Sequence, residues 1–210
     1  METSYWQLIT GAMSLNPAAF DAIEHADHGL RQALVILLIA GASETLGQSV
    51  VLILNRVSRA RFLLALLLGG LELVVEALLW IVSVWLLVGL FGVPRPSFFS
   101  AVRVMGLAYA PLVFSVFVFF PYLGPLIGRV LRIWVLLAAV VGVSVVFDIR
   151  PIWAAVAVAL GFLLRWLLLR LFSGVANATS RWFWRASTGS ATALRSSDAL
   201  LGATTRDGGR

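Results

Sequence analysis

Gly106-Leu-Ala-Tyr-Ala-Pro111, read on to Asp148-Ile-Arg-Pro151, holds two long apolar segments joined only by Pro121-Tyr-Leu-Gly-Pro125. Pro111 interrupts the first segment, and Arg129 and Arg132 lie inside the second. A water-soluble domain does not carry two adjacent apolar runs of this length, whereas a bilayer needs about 20 such residues for each helical crossing. The stretch reads as two membrane spans, and the chain on either side repeats the pattern. Spans are expected at 33–54, 62–91, 98–120, 125–147 and 152–172. The expected fold is all-α: a polytopic membrane protein, a bundle of five transmembrane helices with an N-terminal amphipathic helix.

Composition supports this. Of 210 residues, 60% are hydrophobic and only 12% charged, where globular domains carry about 25%. Mean hydropathy is +0.97. With no cysteine in the chain, disulfides and thiolate chemistry are excluded. All 16 basic residues are arginine, a bias that reads as a GC-rich bacterial genome. The net charge of +6 collects beside the spans and in the tail, so anionic lipid, rather than nucleic acid, is the expected partner. No cleaved signal peptide is expected, since no basic region precedes a short apolar one at the start.

Three regions follow. Residues 1–31 form an amphipathic segment. Within it Asn16-Pro17 marks a helix start, with Phe20, Ile23 and Leu30 toward one side. The pattern suits a helix lying on the membrane and equally one packed on the bundle. Residues 32–173 form the membrane domain. Its second span is too long for a hydrocarbon core of about 30 Å and must tilt or project. Pro111 should kink the third span. Gly124 and Gly128 form a small-xxx-small pair at the start of the fourth. Residues 174–210 form a basic tail expected to be disordered. Its exception, Arg181, Trp182, Phe183, Trp184 and Arg185, suits the headgroup layer as an interface anchor.

An ionised group inside a span costs about 2.5–3.5 kcal/mol on insertion scales and so calls for a partner. Glu72 and Glu76 lie one turn apart, at a depth comparable to that of Arg129 and Arg132. A charge network of these four is expected, with Glu44 joining Arg103 in a second pairing. Arg165 and Arg170, near the end of the fifth span, can snorkel to the interface. The carboxylates line an ion path or lock the helices together, and the matched number of acids and bases favours the lock.

Asp21, Glu24, His25 and His28 have helical ligand spacing, but a solvated acidic face explains them better than a metal site. No nucleophile–base motif, glycine-rich phosphate loop or paired catalytic acids is visible. The expectation is therefore a chain that is not an enzyme and needs no cofactor and no metal. Counting arginines, the positive-inside rule places the C-terminus in the cytoplasm and the N-terminus outside.

The order of features resembles the bacterial branch of the Yip1 domain family of five-span membrane proteins. The resemblance rests on Asn16-Pro-Ala-Ala-Phe20, Gly106-Leu-Ala-Tyr-Ala-Pro111, Pro121-Tyr-Leu-Gly124 and Ile133-Trp134, and covers about residues 8–172. It implies an integral membrane protein that organises membranes or serves as an accessory or scaffold subunit. In eukaryotes the family is associated with Rab-type GTPases and with shaping Golgi and ER membranes. The Asp-Leu-Tyr-Gly-Pro segment of those members is missing here, so no GTPase-binding residue carries over. The family's N-terminus is cytoplasmic, the reverse of the arginine count. The alternative is a small transporter or permease component working through Glu44, Glu72 and Glu76. The bilayer itself, with a protein partner or a second copy of the chain, is the expected company, and the bacterial cytoplasmic membrane the expected location.

Overall fold

The computed structural model describes residues 4–48, 59–90, 97–120 and 122–171. Every regular element among them is helical. Among the described residues, five helical stretches are long and apolar enough to cross a membrane. The chain divides into two compact units, 1–167 and 168–210. Of the second, only the last residues of a helix, 168–171, are described.

Two short helices come first. In α1 (Tyr5–Met13), the Gln7 side-chain oxygen accepts the Ser4 N–H at 3.3 Å. In α2 (Pro17–His25), Asn16 Oδ1 accepts the Ala18 N–H at 3.0 Å and proline occupies the first turn, as the sequence leads one to expect. The expected single amphipathic segment is thus a helical hairpin. Of its two expected settings, the one found is packing on the bundle. Phe20 and Ile23 are fully buried, and a Cβ placed on Gly142 would meet the Phe20 ring at 3.1 Å. Two hydrogen bonds pin the hairpin down, from Trp134 Nε1 to the Met13 carbonyl at 2.9 Å and from Arg103 Nη1 to the Glu24 carbonyl at 2.6 Å.

The first span is α3 (Gly29–Gln48), which begins four residues earlier than expected; residues 49–54 lie outside the described set. The second is α4 (Arg59–Leu90), one continuous helix of 32 residues, about 48 Å at 1.5 Å per residue. Gly69 and Gly70 do not break it. They let α4 close on α3, since a Cβ on Gly69 would clash with the Thr45 side chain and one on Gly41 would lie 2.7 Å from Gly70 Cα. Small residues serve this purpose where lipid gives no hydrophobic drive to association.

The third span changes geometry midway. Its first half is α5 (Phe98–Leu107); after a turn the chain continues as a 3-10 helix, Ala110–Phe119. Pro111 has no N–H to donate to the carbonyl of Leu107, so the expected disturbance takes the form of a switch of helix type. A ten-residue 3-10 run is unusual. This one is supported from outside: Ser43 Oγ donates to the Val113 carbonyl at 2.6 Å and accepts the Val116 N–H at 2.9 Å.

The fourth and fifth spans are α6 (Gly124–Val146) and α7 (Pro151–Leu171). Gly128 plays a smaller part than expected: its missing Cβ would find only Val118 at an ordinary 3.7 Å. Gly124 does make the expected close approach, since a Cβ there would run into the Val118 carbonyl, and Gly142 makes a second one, where a Cβ would lie 2.6 Å from Val104 Cγ1. Leu67 of α4 is 68% exposed, and Leu126, Ile133 and Leu137 of α6 and Leu163 of α7 are exposed with it. An apolar exterior of this extent belongs against lipid tails, where backbone groups must be satisfied within helices. The protein is a multi-pass membrane protein. The interface anchor Arg181 to Arg185 lies outside the described residues.

Candidate functional site

Packing order creates the site. α4 packs on α3, α3 on the 3-10 half of the third span, and that half on α6. α7 lies along α4, where Trp80 Nε1 donates to the Val158 carbonyl at 3.3 Å and the Trp80 ring meets Phe162 edge to face at 6.1 Å. A cavity of about 190 Å³ is left between the two ends of this series. α4 supplies Leu73, Glu76 and Trp80, α7 supplies Phe162 and Arg165, and α6 supplies Arg132, Val135 and Leu136. Glu44 and Tyr109 come from α3 and the third span.

Two ion pairs border this space. Arg132 Nη2 reaches Glu44 Oε1 at 2.9 Å, tying α6 to α3. Arg165 Nη1 reaches Glu76 Oε1 at 2.7 Å, tying α7 to α4. The second is the more enclosed, with the Arg165 side chain only 14% exposed and its guanidinium carbon 4.9 Å from the centre of the Phe162 ring. Tyr109, 3% exposed, sets its ring edge-on to Trp80 at 5.9 Å. The two least exposed charges of the cavity, Arg165 and Glu44, each meet an opposite charge on another helix, as low-dielectric surroundings require.

These pairings differ from the expected ones. Glu76 meets Arg165, not Arg129 or Arg132, and Glu44 meets Arg132, not Arg103. Helix direction explains the second difference. α3 and the third span run parallel, with Gly106 against Ala33 and Gly47 against Ser115. Arg103, near the start of its span, is therefore level with Gly29 and far from Glu44. It holds the Glu24 carbonyl instead. Glu72 and Arg129 are exposed and join no ion pair among the described residues.

Sequence reasoning missed the inward turn of Arg165, given above as a snorkelling residue. A signal was present. Ala154, Ala157, Val158 and Gly161 form the buried stripe of α7, small residues at helical spacing. Arg165 continues it four residues on. The polar run that Ser43 and Glu44 open marks that half of the first span as facing other helices, but the backbone groups that Ser43 bridges, and the aromatic wall of Trp80 and Tyr109, have no comparable signature.

Among the described residues no cluster of His, Cys, Asp and Glu could hold a metal ion. Asp21 and His25 do interact at the exposed end of α2: His25 Nδ1 lies 3.0 Å from the Asp21 carbonyl and 3.4 Å from its carboxylate. Both hold the imidazole pKa above its ordinary value. The Glu24 carboxyl is also raised, mainly by desolvation against the bundle.

Comparison with protein-family models, with curated proteins and with solved structures finds no match.

Proposed function

We propose that this chain is a non-enzymatic integral membrane protein that organises membrane or serves as an accessory or scaffold subunit, in the manner of the Yip1-type proteins it resembles. The observation that supports this reading most is the pairing of the buried charges. Glu44 and Glu76 are each neutralised by an arginine on another helix, so they act as fixed ties between spans. The anionic-lipid preference expected from the arginine-rich loops and tail, and residence in a bacterial cytoplasmic membrane, belong to the same proposal. Purification of the full chain in mild detergent, with native sizing and mass spectrometry, tests it. A partner protein at fixed stoichiometry is expected; a chain that purifies with lipid alone counts against a subunit role.

A second reading has its own observation. The cavity that both ion pairs border lies within the spans, and a carboxylate facing such space is where ion or proton pathways are built. On this reading the protein is a small transporter component, and Glu76→Gln abolishes a pH-dependent flux in proteoliposomes.

A further inference from the structure

The charges that line the cavity are not equally open. The Arg165 side chain is only 14% exposed, its Nη1 is taken by Glu76 and its Nε is buried, so it fixes Glu76 in place rather than offering donors of its own. Glu76 is 38% exposed and Arg132 69%, and both line the space. Glu44 accepts from Arg132 Nη2, yet a guanidinium carries several further N–H donors. Arg165 meets Glu76 at Oε1, yet a carboxylate has lone pairs for several donors. The α6 wall thus keeps spare donors and the α4 wall spare acceptors. Between them Leu73, Trp80, Leu112 and Val135 also line the space, each of them buried.

Three properties limit what fits. The charged lining residues Glu44, Glu76, Arg132 and Arg165 sum to zero, and unbalanced charge is costly in low-dielectric surroundings, so the ligand is neutral overall while offering both signs. The volume is about 190 Å³, somewhat more than the roughly 150 Å³ that takes benzene, so the ligand is small and its two charged groups lie close together. The apolar wall calls for an apolar remainder. We infer that the cavity binds a free α-amino acid with an apolar side chain, in its zwitterionic form. Its carboxylate accepts from Arg132, its ammonium donates to Glu76, and its side chain lies against Trp80 and Leu112. This goes beyond the scaffold reading and holds whether or not the molecule is carried across the membrane.

Isothermal titration calorimetry of the full chain in mild detergent tests the assignment with L-leucine as probe. Isoamylamine and isocaproate present the same skeleton without its carboxylate or its ammonium, and glycine lacks the side chain. Expected is saturable leucine binding at least roughly tenfold tighter than that of any of the other three. Arg132→Gln should weaken it by roughly tenfold or more, and Val135→Phe, which fills the apolar wall, should abolish it; Leu136→Phe serves the same purpose where Val135→Phe does not fold. Glu72→Gln, at a residue that does not line the cavity, should bind leucine as wild type does. Absence of leucine binding, an amine or carboxylate analogue bound as tightly, or leucine still held by the folded Arg132→Gln or cavity-filling variants would overturn the inference. Binding at equilibrium is read here, so its failure leaves the scaffold and transporter readings to their own tests.

Discussion

Replacing Glu76 by glutamine removes the carboxylate from the tie between α4 and α7 and leaves Arg165 charged. At 2.7 Å and an effective dielectric of about 20, two unit charges attract by roughly 6 kcal/mol. Desolvation of both groups takes back much of this, and breaking a buried pair from one side costs about 3–5 kcal/mol. Two features reduce the figure here. The Glu76 side chain is 38% exposed toward the cavity, and Arg165 keeps the Phe162 ring at 4.9 Å. A loss of about 2–3 kcal/mol follows, or about 4–12 °C in thermal midpoint for a chain of this size. Thermal unfolding of the detergent-solubilised protein reads it, in a double-mutant cycle with Arg165→Leu. The coupling should exceed about 1 kcal/mol, while Glu72→Gln should stay within about 0.5 kcal/mol of wild type. Additive effects of Glu76→Gln and Arg165→Leu, or a Glu72→Gln variant as damaged as Glu76→Gln, would refute the assigned pairing.

Ser43→Ala deletes both hydrogen bonds to the 3-10 segment and should cost about 1–3 kcal/mol, with faster amide exchange at Val116 than elsewhere in the span. Phe20→Ala removes the ring seated on Gly142 and should cost about 3 kcal/mol. Hydrogen exchange should then rise through residues 5–25 well before the spans respond; uniform exchange across the chain would count against a separately docked hairpin. That docking should also depend on pH. Glu24 and His25 both have folded pKa values raised above their ordinary 4.5 and 6.5. Each contribution is therefore complete below its ordinary value and lost as pH rises through the folded one. Relative to the intrinsic, base-catalysed rate, the hairpin should lose protection as pH rises above the ordinary values, 4.5 for Glu24 and then 6.5 for His25, and His25→Gln should remove the upper part of that dependence.

The fold was legible because a bilayer reduces structure to a few readable quantities. Long apolar runs from Ala33 to Phe172 can only be spans, and Asn16-Pro17 marks a helix start in any setting. Which charge meets which was not legible, since that depends on helix rotation and direction. Glu72 and Glu76 look equivalent in the sequence, a turn apart on one helix. Only the packing of α7 along α4 makes one of them a partner for Arg165. Arg103 and Glu44 are both mid-chain charges in apolar surroundings, yet parallel spans hold them at opposite ends. Pro111 announced a disturbance but not its form, because the 3-10 run also needs Ser43 from a helix some 70 residues away. The small-residue stripe of α7 shows where more was readable: Arg165 continues the face that Gly161 marks as closely packed.

Flux through the full chain in proteoliposomes tests most directly whether the buried carboxylates are ties or a pathway. Wild type, Glu44→Gln and Glu76→Gln, reconstituted at equal density, would each be given a pH gradient and followed with an internal pH dye. As fixed ties, the carboxylates predict decay no faster than in protein-free liposomes for all three, with the variants differing only in stability. Decay that is rapid in wild type and abolished by Glu76→Gln would contradict the scaffold reading and make the cavity a conduction path.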